Sequence, residues 1–150
     1  MWNSNKSLKL SCICTRLVMV LVVACGAALP YLMELYQSRG PYYLTQMELK
    51  PLAILLYACC VPGLAALFRL DRLLYNIKRE QVFIEKNVAH LRAISWCCFL
   101  VALLLLLAGY YYPLFYFVTL VAAFIGLILR VVKNVIEQAV LLKAENDFTI

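Results

Sequence analysis

The side chains with the greatest chemical potential in this chain are seven cysteines and a single histidine, His90. Disulfide exchange needs two sulfurs within bridging distance, one of them held as thiolate. Cys59-Cys60 and Cys97-Cys98 are sequence neighbours, and neighbours on a helix point about 100° apart, a poor geometry for a bridge. Cys12-x-Cys14 could be acylated or take a soft metal, but two thiols do not complete a metal site. Val22-Val23-Ala24-Cys25 has the form of a lipoprotein processing site. The apolar run continues past Cys25 to Met33, so an uncleaved first span is expected. The cysteines are therefore expected to act as small apolar side chains. His90 has no companion histidine or thiolate pair and is expected to be solvated rather than a ligand or proton switch. No carboxylate pair, histidine base or Gly-rich phosphate loop is present. The chain is expected to be a non-enzyme with no cofactor and no metal.

The elements that carry these residues are set by lipid. Of 150 residues, 65% are hydrophobic and only 15% charged, with a mean hydropathy of +0.86. Soluble domains run near half apolar and a quarter charged. Ala93–Leu129 holds no Asp, Glu, Lys or Arg. As one helix it would rise about 55 Å, nearly twice a hydrocarbon core, so it must fold back. The breaker is Gly109-Tyr110-Tyr111-Tyr112-Pro113, where Gly and Pro can supply turn dihedrals and tyrosines suit the membrane–water boundary. Ala93–Gly109 and Leu114–Leu129 then form a hairpin. Leu17–Met33 and Pro51–Phe68 are two further uncharged runs. The expected fold is all-α, an integral membrane bundle of four transmembrane helices in one domain. The spans lie at about 17–36, 51–69, 93–110 and 113–131. Pro51 suits a first helical turn, Gly40-Pro41 a turn in the first loop, and Pro62-Gly63 a bend in the second span, read as packing rather than a gate.

The polar segments extend two of these helices. Leu70, Leu73, Leu74 and Ile77 repeat at helical spacing, so the second helix continues into a helical loop over 70–92. A new helix is expected near Glu85, with Phe83 and Val88 spaced as a staple across an N-cap at Ile84, a residue without a side-chain acceptor. Ile128, Val132, Val135, Ala139 and Leu142 form an apolar stripe on the last helix, which extends over 132–147 before a short Phe148–Ile150 tail. Such a stripe needs a partner. The economical one is the Leu70–Ile77 face of the same molecule, and a second copy or another protein would also serve.

Lys and Arg number three in the N-terminal arm, six in Arg69–Arg92 and three in the C-terminal tail, against two in the first loop. This asymmetry puts both termini and the central loop in the cytoplasm. The net charge of +6 follows the spans, which points to the lipid bilayer and its anionic headgroups, not to direct nucleic-acid binding.

The segment Val82–Arg92, the span containing Trp96, Gly126–Ala139 and the ending Leu142–Ile150 resemble the bacterial membrane family called domain of unknown function 2975, over roughly residues 50–150. Where that family tends to have Thr or Ser after the Phe, this chain has Ile84. The resemblance implies a four-helix protein of the bacterial cell membrane whose gene often neighbours a small helix-turn-helix regulator; it supplies no catalytic residues. The expected function is a regulatory or adaptor protein, acting through its cytoplasmic face on a partner such as that DNA-binding regulator. The candidate face comprises Val132, Val135, Ala139 and Leu142 with Leu70, Leu73, Leu74 and Ile77. The alternative is a small transporter or channel built as a homo-oligomer, although the spans offer little polarity beyond Ser95, Thr119 and tyrosines.

Overall fold

The computed structural model describes residues 4–39 and 46–149, all in helices or the turns between them. Its four α-helices are α1 (Ser4–Arg39), α2 (Gln46–Lys78), α3 (Glu85–Ala108) and α4 (Leu114–Thr149). Each is long and apolar enough to cross a membrane. Helices are the required form there, because lipid offers no partner for an open N–H or carbonyl. At 36 residues, α1 and α4 rise about 54 Å each, well beyond a hydrocarbon core of about 30 Å.

The helices overrun the expected boundaries. The basic N-terminal arm is part of α1, α4 continues through Phe148, and α2 begins early enough that Pro51 lies inside it rather than in its first turn. Once a helix is nucleated, each added residue gains a hydrogen bond at little cost, so apolar spans propagate until a breaker stops them. Pro62 does not stop α2, which runs unbroken to Lys78 with Pro62 buried. Neighbouring helices re-satisfy the freed carbonyl in such settings. The expected Gly40-Pro41 turn lies outside the described residues.

Packing follows chain order. α1 lies on α2, α2 on α3 and α3 on α4, and among the described residues no other pair of helices brings backbones within 8 Å. The expected packing of the Leu70–Ile77 face on the α4 stripe is therefore not what the chain does. α2 lies between α1 and α3 and never reaches α4. Of the two inner helices α3 is the more enclosed, its apolar span 33% buried against 11% for α2 and 6% for α1 and α4.

The edge helices dock through seven-residue repeats. Cys12, Thr15, Met19, Val22, Gly26, Leu29, Met33 and Tyr36 form a line of covered positions along α1, spaced by three and four, with Leu8 and Ala28 covered beside it. On α4 the corresponding line is Phe115, Thr119, Ala122, Gly126, Leu129, Lys133, Ile136 and Val140, with Ala123, Glu137 and Ala139 covered beside it. That spacing keeps one seam against a neighbour crossing at a shallow angle.

Two turns join α2 to α3 and α3 to α4. After α2, the Gln81 N–H donates to the Asn76 carbonyl (3.1 Å) and the Glu80 N–H to that of Ile77 (3.0 Å). This is a Schellman cap, and its left-handed position is held by Glu80 at φ 62°. A non-glycine residue there is strained. Glu80→Gly is expected to stabilise the protein by about 1 kcal/mol, read as a raised unfolding midpoint in detergent; an unchanged or lower midpoint counts against it. At the second turn Gly109 has ordinary helical dihedrals (φ −59°, ψ −25°), so its expected role as a dihedral supplier is corrected. It provides space: a Cβ there would sit 2.6 Å from the Tyr116 ring.

Candidate interaction face

Polar contacts between helices gather at the end of the row that carries the basic segments. Arg16 Nε on α1 donates to Asp71 Oδ1 on α2 at 3.2 Å. Asn76 Nδ2 on α2 donates to Asn87 Oδ1 on α3 at 2.9 Å. Arg92 on α3 reaches Glu137 on α4 at 3.2 Å, and Lys133 reaches the other oxygen of Glu137 at 2.6 Å. At this end each adjacent pair of helices thus has one side-chain to side-chain tie. Lys133 lies in the α4 seam and carries its charge along α3 to the edge, as long basic side chains do.

Glu137 lies past Arg130, outside the uncharged run of α4. The hydrogen bond from Lys133 holds its carboxyl below the usual value of 4.5, burial opposes that, and the charges of Lys133 and Arg92 add to it. A carboxylate with a depressed pKa in the folded state contributes stability above its unfolded pKa and loses it as the pH falls through the folded one. The stability difference between wild type and Glu137→Gln is therefore expected to be full at neutral pH and to decline as the pH falls below about 4.5, as followed by thermal unfolding in detergent. A difference that grows on acidification counts against this assignment.

Two arginines stand over exposed aromatic rings where the uncharged runs end: Arg130 is 5.4 Å from the Trp96 ring centre and Arg72 is 5.2 Å from that of Phe68. Arg79 stacks on Tyr75 in the same way and hydrogen-bonds to its hydroxyl. Rings in the lipid boundary with guanidinium groups above them are an interfacial arrangement. At the opposite end, Tyr110 and Tyr111 meet edge to face at 5.5 Å.

The sequence-derived candidates separate into two groups. Leu73 is buried, and Leu70, Leu74 and Ile77 are half-buried, so the α2 face is largely spent inside the chain. On α4, Val132, Val135 and Leu142 are exposed and Ala139 is half-buried. Lys133, Ile136 and Val140, each one residue further on, are covered, as is Glu137. Val132, Val135 and Leu142 therefore face away from α3, with Ala139 at the margin of the covered side. Pro62 and Gly63 contribute no lining to the space at the basic end. There, a cleft of about 540 Å³ opens between the α2–α3 turn and the end of α4, walled by Phe83, Ile84, Lys86, Val140, Lys143 and Asp147.

Several structural residues carry no mark in the hydrophobic pattern. Asn87 is 1% exposed, and its amide donates to the carbonyls of Gln81 (2.7 Å) and Val82 (2.8 Å). Ile84 is the N-cap of α3 as expected, and without a side-chain hydrogen bond. Ser95 Oγ donates to the Gly126 carbonyl at 2.9 Å inside the α3–α4 seam. An isolated Asn, Ser or Gly on an apolar helix is the available signal, since polar and small residues mark helix contacts in lipid. His90 is half-buried with Nδ1 enclosed and unpartnered, which corrects the expectation of a solvated ring. None of the seven cysteines is joined in a disulfide.

The family described as "Protein of unknown function (DUF2975)" matches residues 6–150. The chain belongs to this family. The DUF2975 match takes in all four helices and so extends further back than the resemblance over residues 50–150, through nearly all of α1. No curated protein and no solved structure matches the chain. Membership in DUF2975 brings no assigned chemistry, and function has to be argued from the geometry.

Proposed function

We propose that this protein is a membrane-embedded regulatory or adaptor protein that works through its basic end, facing the cytoplasm, on a cytoplasmic partner such as a helix-turn-helix regulator. The observation that carries this reading is the cleft between the α2–α3 turn and the end of α4. It lies beyond the membrane spans and combines apolar walls (Phe83, Ile84, Val140) with charges of both signs (Lys86, Lys143, Asp147). That lining suits an amphipathic helix laid along it with its apolar side inward. Phe83 is 47% exposed at the mouth, a large ring held out at a site where lipid cannot cover it. Orientation rests on the charge asymmetry, because twelve of the fourteen Lys and Arg flank this end.

Recovery of the tagged full-length protein from solubilised membranes tests the proposal. Wild type is expected to bring down a DNA-binding protein. Phe83→Glu, or deletion of Lys143–Ile150, is expected to lose it while membrane insertion and helicity stay intact. Equal recovery with both variants, or none with wild type, would remove the reading.

A further inference from the structure

We infer that the chain self-associates as a parallel dimer, with the outer face of α4 packed along the same face of a second copy. This goes beyond the adaptor reading and uses a different surface, so either can fail alone. The face is a second seven-residue repeat on α4, beside the one that docks on α3. Val118, Ile125, Val132 and Ala139 occupy one position of the repeat, and Val121, Ile128, Val135 and Leu142 the other. Seven of these side chains are between 39% and 66% exposed, and Ala139 is half-buried. The eight positions carry no charge, and six hold Val or Ile, side chains whose fixed rotamers lose little on packing.

The identity of the occupant follows from where the stripe runs. Its first half lies in the apolar span, where lipid can cover it. Its second half, from Val132 to Leu142, lies beyond Arg130 among Lys133, Asn134, Glu137, Gln138 and Lys143, where lipid does not reach. A soluble partner covers only the second half and lipid only the first. A single occupant of the whole stripe must be a helix that passes through the membrane and continues into water along the same line, as α4 itself does. The other long helices of this chain are not available for the role, since α1 is docked on α2 and neither α1 nor α2 approaches α4.

Two copies in one membrane share an orientation, so the pairing is parallel. In that register Phe124, Val131 and Gln138, all exposed and none charged, border the seam on the side away from α3. Val and Ile at both repeat positions suit higher assemblies in free helices. Here α3 covers the flank at Ala122, Leu129 and Ile136, leaving one open seam and a two-fold arrangement. The stripe side chains alone would bury roughly 1,200 Å² over two copies, at the lower edge of a stable interface.

The test uses the full-length protein in a mild non-ionic detergent and in nanodiscs, with its mass followed by light scattering across a dilution series. Wild type is expected at twice the 17.1 kDa chain mass. Val132→Glu with Val135→Glu lies beyond Arg130 and is expected to raise the dissociation constant at least tenfold, with helicity unchanged and with the unfolding midpoint of wild type at dilutions where both are monomeric. Val121→Leu with Ile128→Leu, which keeps apolarity but alters shape inside the membrane, is expected to weaken the dimer less. Deletion of Lys143–Ile150, which removes a wall of the cleft, is expected to leave the dimer intact. A wild-type monomer at all concentrations overturns the inference, as does a dimer unaffected by the paired glutamates. A monomer that binds only a cytoplasmic partner through this stripe overturns it equally.

Discussion

Gly126→Leu is expected to prise α4 from α3 and to lower stability by about 3 kcal/mol, a loss of over a hundredfold in the folded-to-unfolded ratio. The reason is distance. A Cβ at position 126 would already stand 3.3 Å from Cys98 Cβ and 3.3 Å from Cε1 of Phe99. Alanine asks those neighbours to yield by a few tenths of an ångström while gaining up to about 1 kcal/mol of helix propensity, so Gly126→Ala is expected to be nearly neutral. Leucine adds three more carbons in the same direction, where the only relief is separation of the helices. Separation also draws the Gly126 carbonyl away from Ser95 Oγ, now 2.9 Å distant. That bond alone is worth about 0.6 kcal/mol by analogy with other membrane helices, so Ser95→Ala should be mild. The series Ala, Val, Leu at position 126, followed by unfolding in mixed micelles, should therefore fall off with size. A leucine variant as stable as wild type would mean that α3 and α4 do not meet there.

How much of this was legible beforehand depends on which solvent each residue faces. The four spans and the charged segments between them stand out because lipid excludes charge, and Arg69, Arg92 and Arg130 mark the basic boundary clearly. The phase of α4 did not. Periodicity puts Val132 and Val135 on a stripe that needs a partner, yet α3 covers Lys133, Ile136 and Val140, one step round the helix. In water an apolar stripe points inward because its alternative is hydration. In lipid both sides of a helix can be apolar, so hydrophobic periodicity loses its sense of direction, and small residues such as Gly126 become the better guide. Lys133 misled for a related reason: a basic residue reads as an outward position, but its long stem can lie in a seam while its charge meets Glu137 at the edge. The intramolecular pairing expected of Leu70–Ile77 failed on topology, because α3 stands between the two extensions in the row.

The second large effect is expected at Asn87, three residues past the N-cap of α3. Its side chain makes three hydrogen bonds: two donated to the carbonyls of Gln81 and Val82, and one accepted from the Asn76 amide at 2.9 Å. One residue thereby fastens the end of α2, the turn after it and the start of α3. Asn87→Leu keeps the volume but leaves two carbonyls and an amide without partners in a site only 1% exposed. Each such group costs about 1–3 kcal/mol, so a total loss of about 3 kcal/mol is expected even with some water entering. Asn87→Asp should be as damaging at neutral pH, since a carboxylate cannot donate to the two carbonyls and its charge would be buried. Asn76→Ala removes only one of the three bonds and should cost about 1 kcal/mol. Combined with Asn87→Leu it should add little, because the contact it removes is already gone, and that non-additivity identifies the pair as one unit. The local consequence is as informative as the global one. With the turn unfastened, proteolysis between Arg79 and Glu85 should accelerate in the folded, membrane-inserted protein while the spans remain protected. If Asn87→Leu unfolds like wild type and its turn resists protease equally, the side chain is not what joins the two halves of this row of helices.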